Sequence, residues 1–272
     1  MAARRGATRR RPVTPRARGR RAAARLSAST CVLYLVYALI GVVGANFIYQ
    51  VFRKPTELFF PISGALYKTP EETWRVYARL FRRYATPHVS APLLAALAQV
   101  EGSGNPLVRT YWHWASPARL FDFYRPASSA VGMYQITDST FAEARHYCIH
   151  DHQLTHEGPW NDWRSCWFNR LYLRVLPRDA VELTAADLEL KVSGILATLP
   201  RSAASPAQLQ HLAAVVHLCG AGAADLYARR GFRFSAGQRC GEHDPREYLA
   251  RVDNYSREFS RLEARESGTP VQ

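Results

Sequence analysis

The sequence predicts a mainly helical domain carried behind a single transmembrane helix. Three observations support this. An arginine-rich segment is followed at once by an uncharged apolar run, several later segments combine an N-terminal cap with a 3.6-residue apolar period, and no alternating run is long enough for a substantial sheet. At 272 residues with 47% hydrophobic content, the chain can bury one sizeable core and is not wholly disordered.

The formal charge of +14 suggests a nucleic-acid binder until its distribution is considered. Ten arginines and no acid fall within residues 1 to 26, leaving 26 Lys+Arg against 22 Asp+Glu in the remainder. The basic character therefore belongs to a tail, residues 1–27, and no nucleic-acid partner is expected. From Cys31 to Ile48 there is no charged residue, and Asn46 is the one strongly polar side chain. Residues 28–52 read as a spanning helix, with the arginines holding its N-terminal side in the cytoplasm. A cleavable signal cut after Ala45 is the competing reading; the apolar run continues past that point, which favours an uncleaved anchor.

Residues 53–88 read as an irregular, proline-containing connector and an amphipathic helix. In the latter Thr69 caps, Pro70 stands at the first helical position and Glu72 completes a capping box. Its stripe of Trp74, Tyr77, Leu80, Phe81 and Tyr84 suits packing on its own domain, or on anionic lipid. Ser90 opens a helix ending near Glu101, and Thr137 or Asp138 opens another. Thr184 and Asp187 give a capping pattern, Ser205-Pro206 starts a helix ending at Gly220 and Gly222, and Asp244-Pro245 starts the last. Residues 263–272 read as a tail.

Cys31 lies in the apolar run, leaving Cys148, Cys166, Cys219 and Cys240 in the exported part. Pairing along the chain, Cys148 with Cys166 and Cys219 with Cys240, is the simplest of three connectivities; free buried thiols are the alternative. His146 and His150 would form an i, i+4 metal pair on a helix, but with His152 and His156 they match no standard spacing. No metal and no cofactor are expected.

Glu101 ends an apolar stripe of Leu94, Leu97 and Ala98 and is followed by Gly102, Ser103, Gly104, Asn105 and Pro106. Burial there would favour a protonated acid, and the two glycines would let a substrate approach the backbone. A glutamate pointing to water past a helix end is the bland reading.

"EGSGNP" followed by "SSAVGMYQITDSTF" resembles the soluble lytic transglycosylase family, which is similar in fold to goose-type lysozyme. Glu101, Asn105 and Pro106 match its first element, with Gly102 in place of a serine and Ser103 adjacent. Ala130, Gly132, Gln135 and Ile136 match the second, with Ser129, Met133 and Tyr134 as departures. In "VHLCGAG", Gly220 matches, while His217 and Leu218 stand where tyrosine and asparagine are usual. Tyr248 fits a late tyrosine. The resemblance covers about residues 88 to 260.

The resemblance implies a lysozyme-like catalytic domain over residues 89–262, with Glu101 as acid and then base. It implies substrate contacts from Ser103, Asn105, Met133, Tyr134, Gln135, His217 and Tyr248. The implied partner is the peptidoglycan glycan strand, cut between N-acetylmuramic acid and N-acetylglucosamine with closure of a 1,6-anhydro ring. The implied location is the periplasmic face of a bacterial inner membrane, single-pass, with envelope or secretion machinery as a further possible partner. A hydrolytic muramidase using Asp122 or Asp138 as second carboxylate, and a weakly active glycan-binding assembly protein, are the alternatives. The aromatic insertion with Tyr111, Trp112, Trp114, Phe121, Phe123 and Tyr124 would either stack on sugars or pack as a loop. Protease added to intact spheroplasts is expected to remove residues 53 onward; a protected domain would contradict this topology.

Overall fold

The computed structural model describes residues 28–115, 123–162, 164–199 and 204–268. The basic tail, Phe121, Asp122 and residues 269–272 lie outside them. The chain divides into two units, Met1–Gly44 and Ala45–Gln272. What is described of the first belongs to helix α1, Ala28–Arg53. Its 26 residues span about 39 Å at ~1.5 Å per residue, more than the ~30 Å of a hydrocarbon core. With a mean hydropathy of 2.2 over its most apolar window, α1 is long and apolar enough to cross a membrane.

The second unit opens with the last turns of α1. Asn46 Nδ2 donates to the Tyr124 carbonyl at 2.7 Å, and Phe47 stacks on Trp112 at 6.0 Å. Residues 55–66, expected as an irregular connector, form short helical turns that include α2, Phe60–Ser63. Helix α3, Pro70–Tyr84, carries the expected capping box in full, Thr69 and Glu72 each satisfying the other's backbone N–H. Trp74, Tyr77, Phe81 and Tyr84 are buried in the common core, so this amphipathic face is covered by its own domain rather than by lipid. Residues 70–84 thus belong to the same compact unit as the residues after 88.

Helix α4, Ala91–Gly102, is the centre of that core. Ser90 caps it through the Leu93 N–H, and every residue from Ala91 to Gln99 is buried. A helix apolar around its full circumference has to be enclosed. Here α3, α6 (Pro177–Ala197) and α8 (Pro245–Glu266) enclose it, while α7 (Pro206–Arg229) packs on α6 and α8. Helix α8 continues to Glu266, four residues into the stretch read as a tail. Helix α5, Asp138–Ala144, is capped by Thr137.

Three readings need correction. Helix α6 starts at Pro177, so Thr184 and Asp187 are buried in mid-helix rather than capping its start. A Ser/Thr-x-x-Asp pattern is local, and the buried run Ala180, Val181, Leu183 extends the helix upstream of it. Helix α7 does break at Gly220, where φ is 79°, but it resumes and continues to Arg229. His146 and His150 do not share a helix: α5 ends at Ala144, and His150 lies on a strand.

That strand is β3 of two small antiparallel ribbons. Trp112–Trp114 (β1) pairs with Tyr124–Pro126 (β2), and Tyr147–His150 (β3) with Gln153–His156 (β4). The turn between β3 and β4 uses left-handed φ values at Asp151 (46°) and His152 (64°), as a two-residue hairpin connection requires. Cys148 on β3 is bonded to Cys166, and Cys219 to Cys240, with Cα separations of 5.3 and 5.1 Å. Labelling of unfolded, unreduced protein with a thiol reagent is expected to modify Cys31 alone. The loops span 18 and 21 residues, so each bond should contribute on the order of 3 kcal/mol against denaturant.

Candidate active site

The segment after α4 is held by its own side chains. Ser103 (φ 47°) and Gly104 (φ 63°) take left-handed conformations, and their N–H groups return to the carbonyls of Gln99 and Ala98. A Cβ at Gly102 would lie 3.0 Å from the Met133 Cα and carbonyl oxygen. One at Gly104 would lie 2.3 Å from Thr73 Oγ1. The two glycines therefore admit the protein's own chain, not a substrate, which corrects the expectation drawn from sequence.

Around them runs a continuous polar chain. Thr73 Oγ1 donates to Gln99 Oε1 at 2.8 Å, and Gln99 Nε2 donates to the Lys68 carbonyl at 3.0 Å. Lys68 N–H donates to the Ser103 carbonyl at 2.9 Å, and its Nζ to the Gly104 carbonyl at 3.1 Å. The last turn of α4 is thereby fixed to the start of α3.

Glu101 projects from that fixed turn with its side chain 19% exposed. Tyr248 Oη, from α8, donates to Glu101 Oε1 at 2.6 Å. His217 Nε2, from α7 just before the Gly220 break, stands 3.7 Å from the same oxygen, with its side chain 14% exposed. Three residues far apart in sequence thus meet at one partly open carboxylate. Burial, followed by the Glu101 charge, pushes the Tyr248 phenol well above its ordinary range, so Tyr248 stays a neutral donor.

Four fully enclosed carboxylates serve visible structural ends. Glu57 meets Lys54, Arg109 and Trp112. Glu182 accepts from Ile149 N–H and Tyr172 Oη, Asp179 from Leu173 N–H, and Glu189 is bonded to Thr86 and His88. Glu101 differs from these four in having neither a backbone N–H nor a Lys or Arg among its partners, a property it shares with the part-buried Asp253, which is bonded to Gln210 and His211. The Tyr248 and His217 contacts both fall on Glu101 Oε1.

The remaining expected contacts divide. Asn105 is fully buried; it donates to the Ser63 carbonyl at 2.6 Å and accepts from Leu107 N–H at 2.8 Å. Met133 and Tyr134 are fully buried as well, and Tyr134 Oη donates to the Leu94 carbonyl at 3.0 Å. All three side chains are enclosed by the protein, Tyr134 bracing α4 and Asn105 tying the loop after it to Ser63, and no ligand reaches them in this conformation. Gln135 is half-buried, its Nε2 donating to the Gly132 and Val108 carbonyls at 2.9 and 3.3 Å. Ser103 serves as the helix cap. Asp138 is paired with Arg174 at 2.8 Å, and Asp122 lies outside the described residues. The aromatic insertion docks on the end of α1, Trp112 Nε1 donating to Glu57 at 2.8 Å, while Tyr111 and Trp114 are exposed.

One cluster escaped sequence reasoning. Asp187 and Lys191, i and i+4 on α6, pair with each other, and Lys191 also reaches Glu143 at 3.2 Å. Burial raises the Asp187 carboxyl above its ordinary range; Lys191 and His217 oppose that shift, so the cluster lies within electrostatic reach of the site. The Asp-to-Lys spacing was the available signal.

No known family model matches the chain, and no curated protein matches it.

Tyr248→Phe removes one hydrogen bond to a carboxylate and little volume. If the carboxylate does chemistry, turnover should fall by roughly ten- to a hundredfold, the worth of a charge-assisted hydrogen bond of ~1.5–3 kcal/mol, with an unchanged melting temperature. Unaltered turnover would place Tyr248 outside the working site.

Proposed function

We propose that the chain is a membrane-anchored peptidoglycan lytic transglycosylase, with a lysozyme-like helical domain exposed at the periplasmic face of a bacterial inner membrane. The observation that carries this reading is the 2.6 Å bond from Tyr248 to Glu101, a half-buried carboxylate at the one open end of an enclosed helix. The two residues come from separate motifs of the resemblance and are 147 positions apart. The spanning helix and two disulfides add support, since they fit a chain delivered to an oxidising compartment.

In this mechanism Glu101 protonates the oxygen bridging N-acetylmuramic acid and N-acetylglucosamine, and the glycosidic bond breaks. The acetamido group of the substrate stabilises the developing cation. The Glu101 carboxylate then takes the proton of the muramic acid 6-hydroxyl, whose oxygen bonds to the anomeric carbon and closes the anhydro ring. Tyr248 fixes Oε1, leaving Oε2 to carry the proton in both steps. His217 Nε2 stands 3.7 Å from Oε1, where the resemblance has a tyrosine. Two carboxylates are the rule for hydrolytic glycosidases, whereas a single carboxylate suffices for this route.

Glu101→Gln keeps the shape and most of the hydrogen bonding but removes the transferable proton. Digestion of purified cell wall should yield anhydro-ended muropeptides with the unaltered chain. With the variant, release should fall by about four orders of magnitude at equal folding and equal sugar binding. Reducing ends would support a hydrolytic muramidase, and a fully active variant would remove Glu101 from the chemistry.

A further inference from the structure

The stretch from Asn46 to Ser63 carries its polarity the wrong way round for a chain in water. Asn46, Gln50 and Lys54 recur at every fourth position and are buried against the domain, and Glu57 and Ser63 follow them inward. The apolar side chains point the other way. Phe52 is 83% exposed, Leu58 61% and Ile62 53%, and Phe47, Ile48 and Phe59 are exposed as well. Arg53 is the one exposed charged side chain between residues 46 and 63, and its guanidinium lies 5.7 Å over the Tyr49 ring.

The inward polar groups are held by the protein. Asn46 Nδ2 donates to the Tyr124 carbonyl at 2.7 Å, and Lys54 Nζ pairs with Glu57 at 3.3 Å and donates to Thr110 Oγ1 at 3.2 Å. Trp112 Nε1 donates to Glu57 at 2.8 Å. A segment packed on a domain in water turns its apolar stripe inward and its polar face out. The reverse, with ionisable side chains paired inside and apolar ones outside, is the arrangement that lipid imposes.

The place of this surface in the chain says what covers it. Helix α1 is long and apolar enough to cross a membrane, Phe52 lies in its last turn, and Leu58 and Ile62 lie on the turns that follow directly. The β1–β2 ribbon is docked on the same end of α1, through Trp112 on Phe47 and the Tyr124 carbonyl on Asn46. On that ribbon Trp114 is 74% exposed, and Tyr111 beside it in sequence is exposed too. Trp and Tyr are the side chains that gather where hydrocarbon meets headgroups. The later helices offer the contrast: among the described residues after Pro177, Leu226 alone is an exposed large apolar side chain. Exposed apolar residues between Trp160 and Leu176 are interspersed with exposed Arg164 and Arg170, so that stretch lacks the inversion.

We propose that Phe52, Leu58, Phe59, Ile62 and Trp114 sit in the interface of the leaflet through which α1 leaves the bilayer. The occupant of this surface is the glycerol and upper acyl region of the lipid, with no particular headgroup. The domain therefore lies on the membrane instead of hanging from α1 by a free tether. The proposal rests on α1 as a membrane span and not on the chemistry at Glu101.

The test uses the full chain in phosphatidylcholine vesicles, with Cys31→Ser in every case to remove the free thiol. Leu58→Cys, Ile62→Cys and Leu226→Cys each receive a nitroxide at a position that is already exposed, and the two disulfides keep the label specific. Electron paramagnetic resonance then reads collisions of the label with oxygen, which partitions into lipid, and with a nickel chelate, which stays in water. The oxygen-to-nickel collision ratio at positions 58 and 62 should exceed that at position 226 severalfold. Ratios equal to that at position 226 would overturn the proposal. Infrequent collisions with both reagents at positions 58 and 62 would overturn it too, because they signify cover by protein, whether a second copy or another chain. A label from Val36→Cys tests the span separately. A water-facing label there refutes the membrane occupant altogether, whereas a lipid-facing one with positions 58 and 62 in water refutes the interfacial contact alone. Two reporter positions keep the reading independent of any one variant, and each variant should melt with the unaltered chain.

Discussion

Helix α4 has no face for water until its final turn, and the arrangement of the domain follows from that constraint. A rod of Leu and Ala closed on every side leaves a neighbouring helix or loop little freedom in how it packs. Helices α3, α6 and α8 take three sides, and the turn through Met133 and Tyr134 presses on the helix closely enough that Gly102 has no room for a side chain without displacing it. Glu101 emerges where the enclosure stops. Its position is set by packing and by the Thr73–Gln99–Lys68 chain of hydrogen bonds, and under the proposed activity that fixed position is the preorganisation catalysis requires.

Much of the helical framework was legible because its signals are local. The Thr69–Glu72 box, the Ser90, Thr137 and Ser205 caps and the apolar run of α1 each announce themselves within a few residues. Thr184 shows the limit of such signals: the same local pattern occurs in the middle of α6, where tertiary burial overrides it. The two ribbons were missed because strands of three or four residues carry no readable alternation.

At the site, the sequence supplied Glu101 and, through the resemblance, Tyr248 and His217. It did not separate the residues that meet Glu101 from those buried around it. Asn105, Met133 and Tyr134 sit in the same short motifs, yet their side chains point into the protein, and no pattern within "EGSGNP" or "GMYQIT" distinguishes the two roles. The aromatic insertion illustrates the same ambiguity. Aromatic rings that suit a sugar face suit a helix end equally well, and Trp112 packs on Phe47.

The Cys219–Cys240 bond has a bearing on timing as well as on strength. Cys219 lies two residues after His217, and Cys240 lies eight before Tyr248, so one covalent link joins the two stretches that bring those side chains to Glu101. A chain that has not left a reducing compartment lacks that link, and its α7 break and α8 approach are joined only by packing. Under the proposed activity, oxidation on the far side of the membrane would act as an arming step, completing the cutting site beside the polymer it is meant to cut.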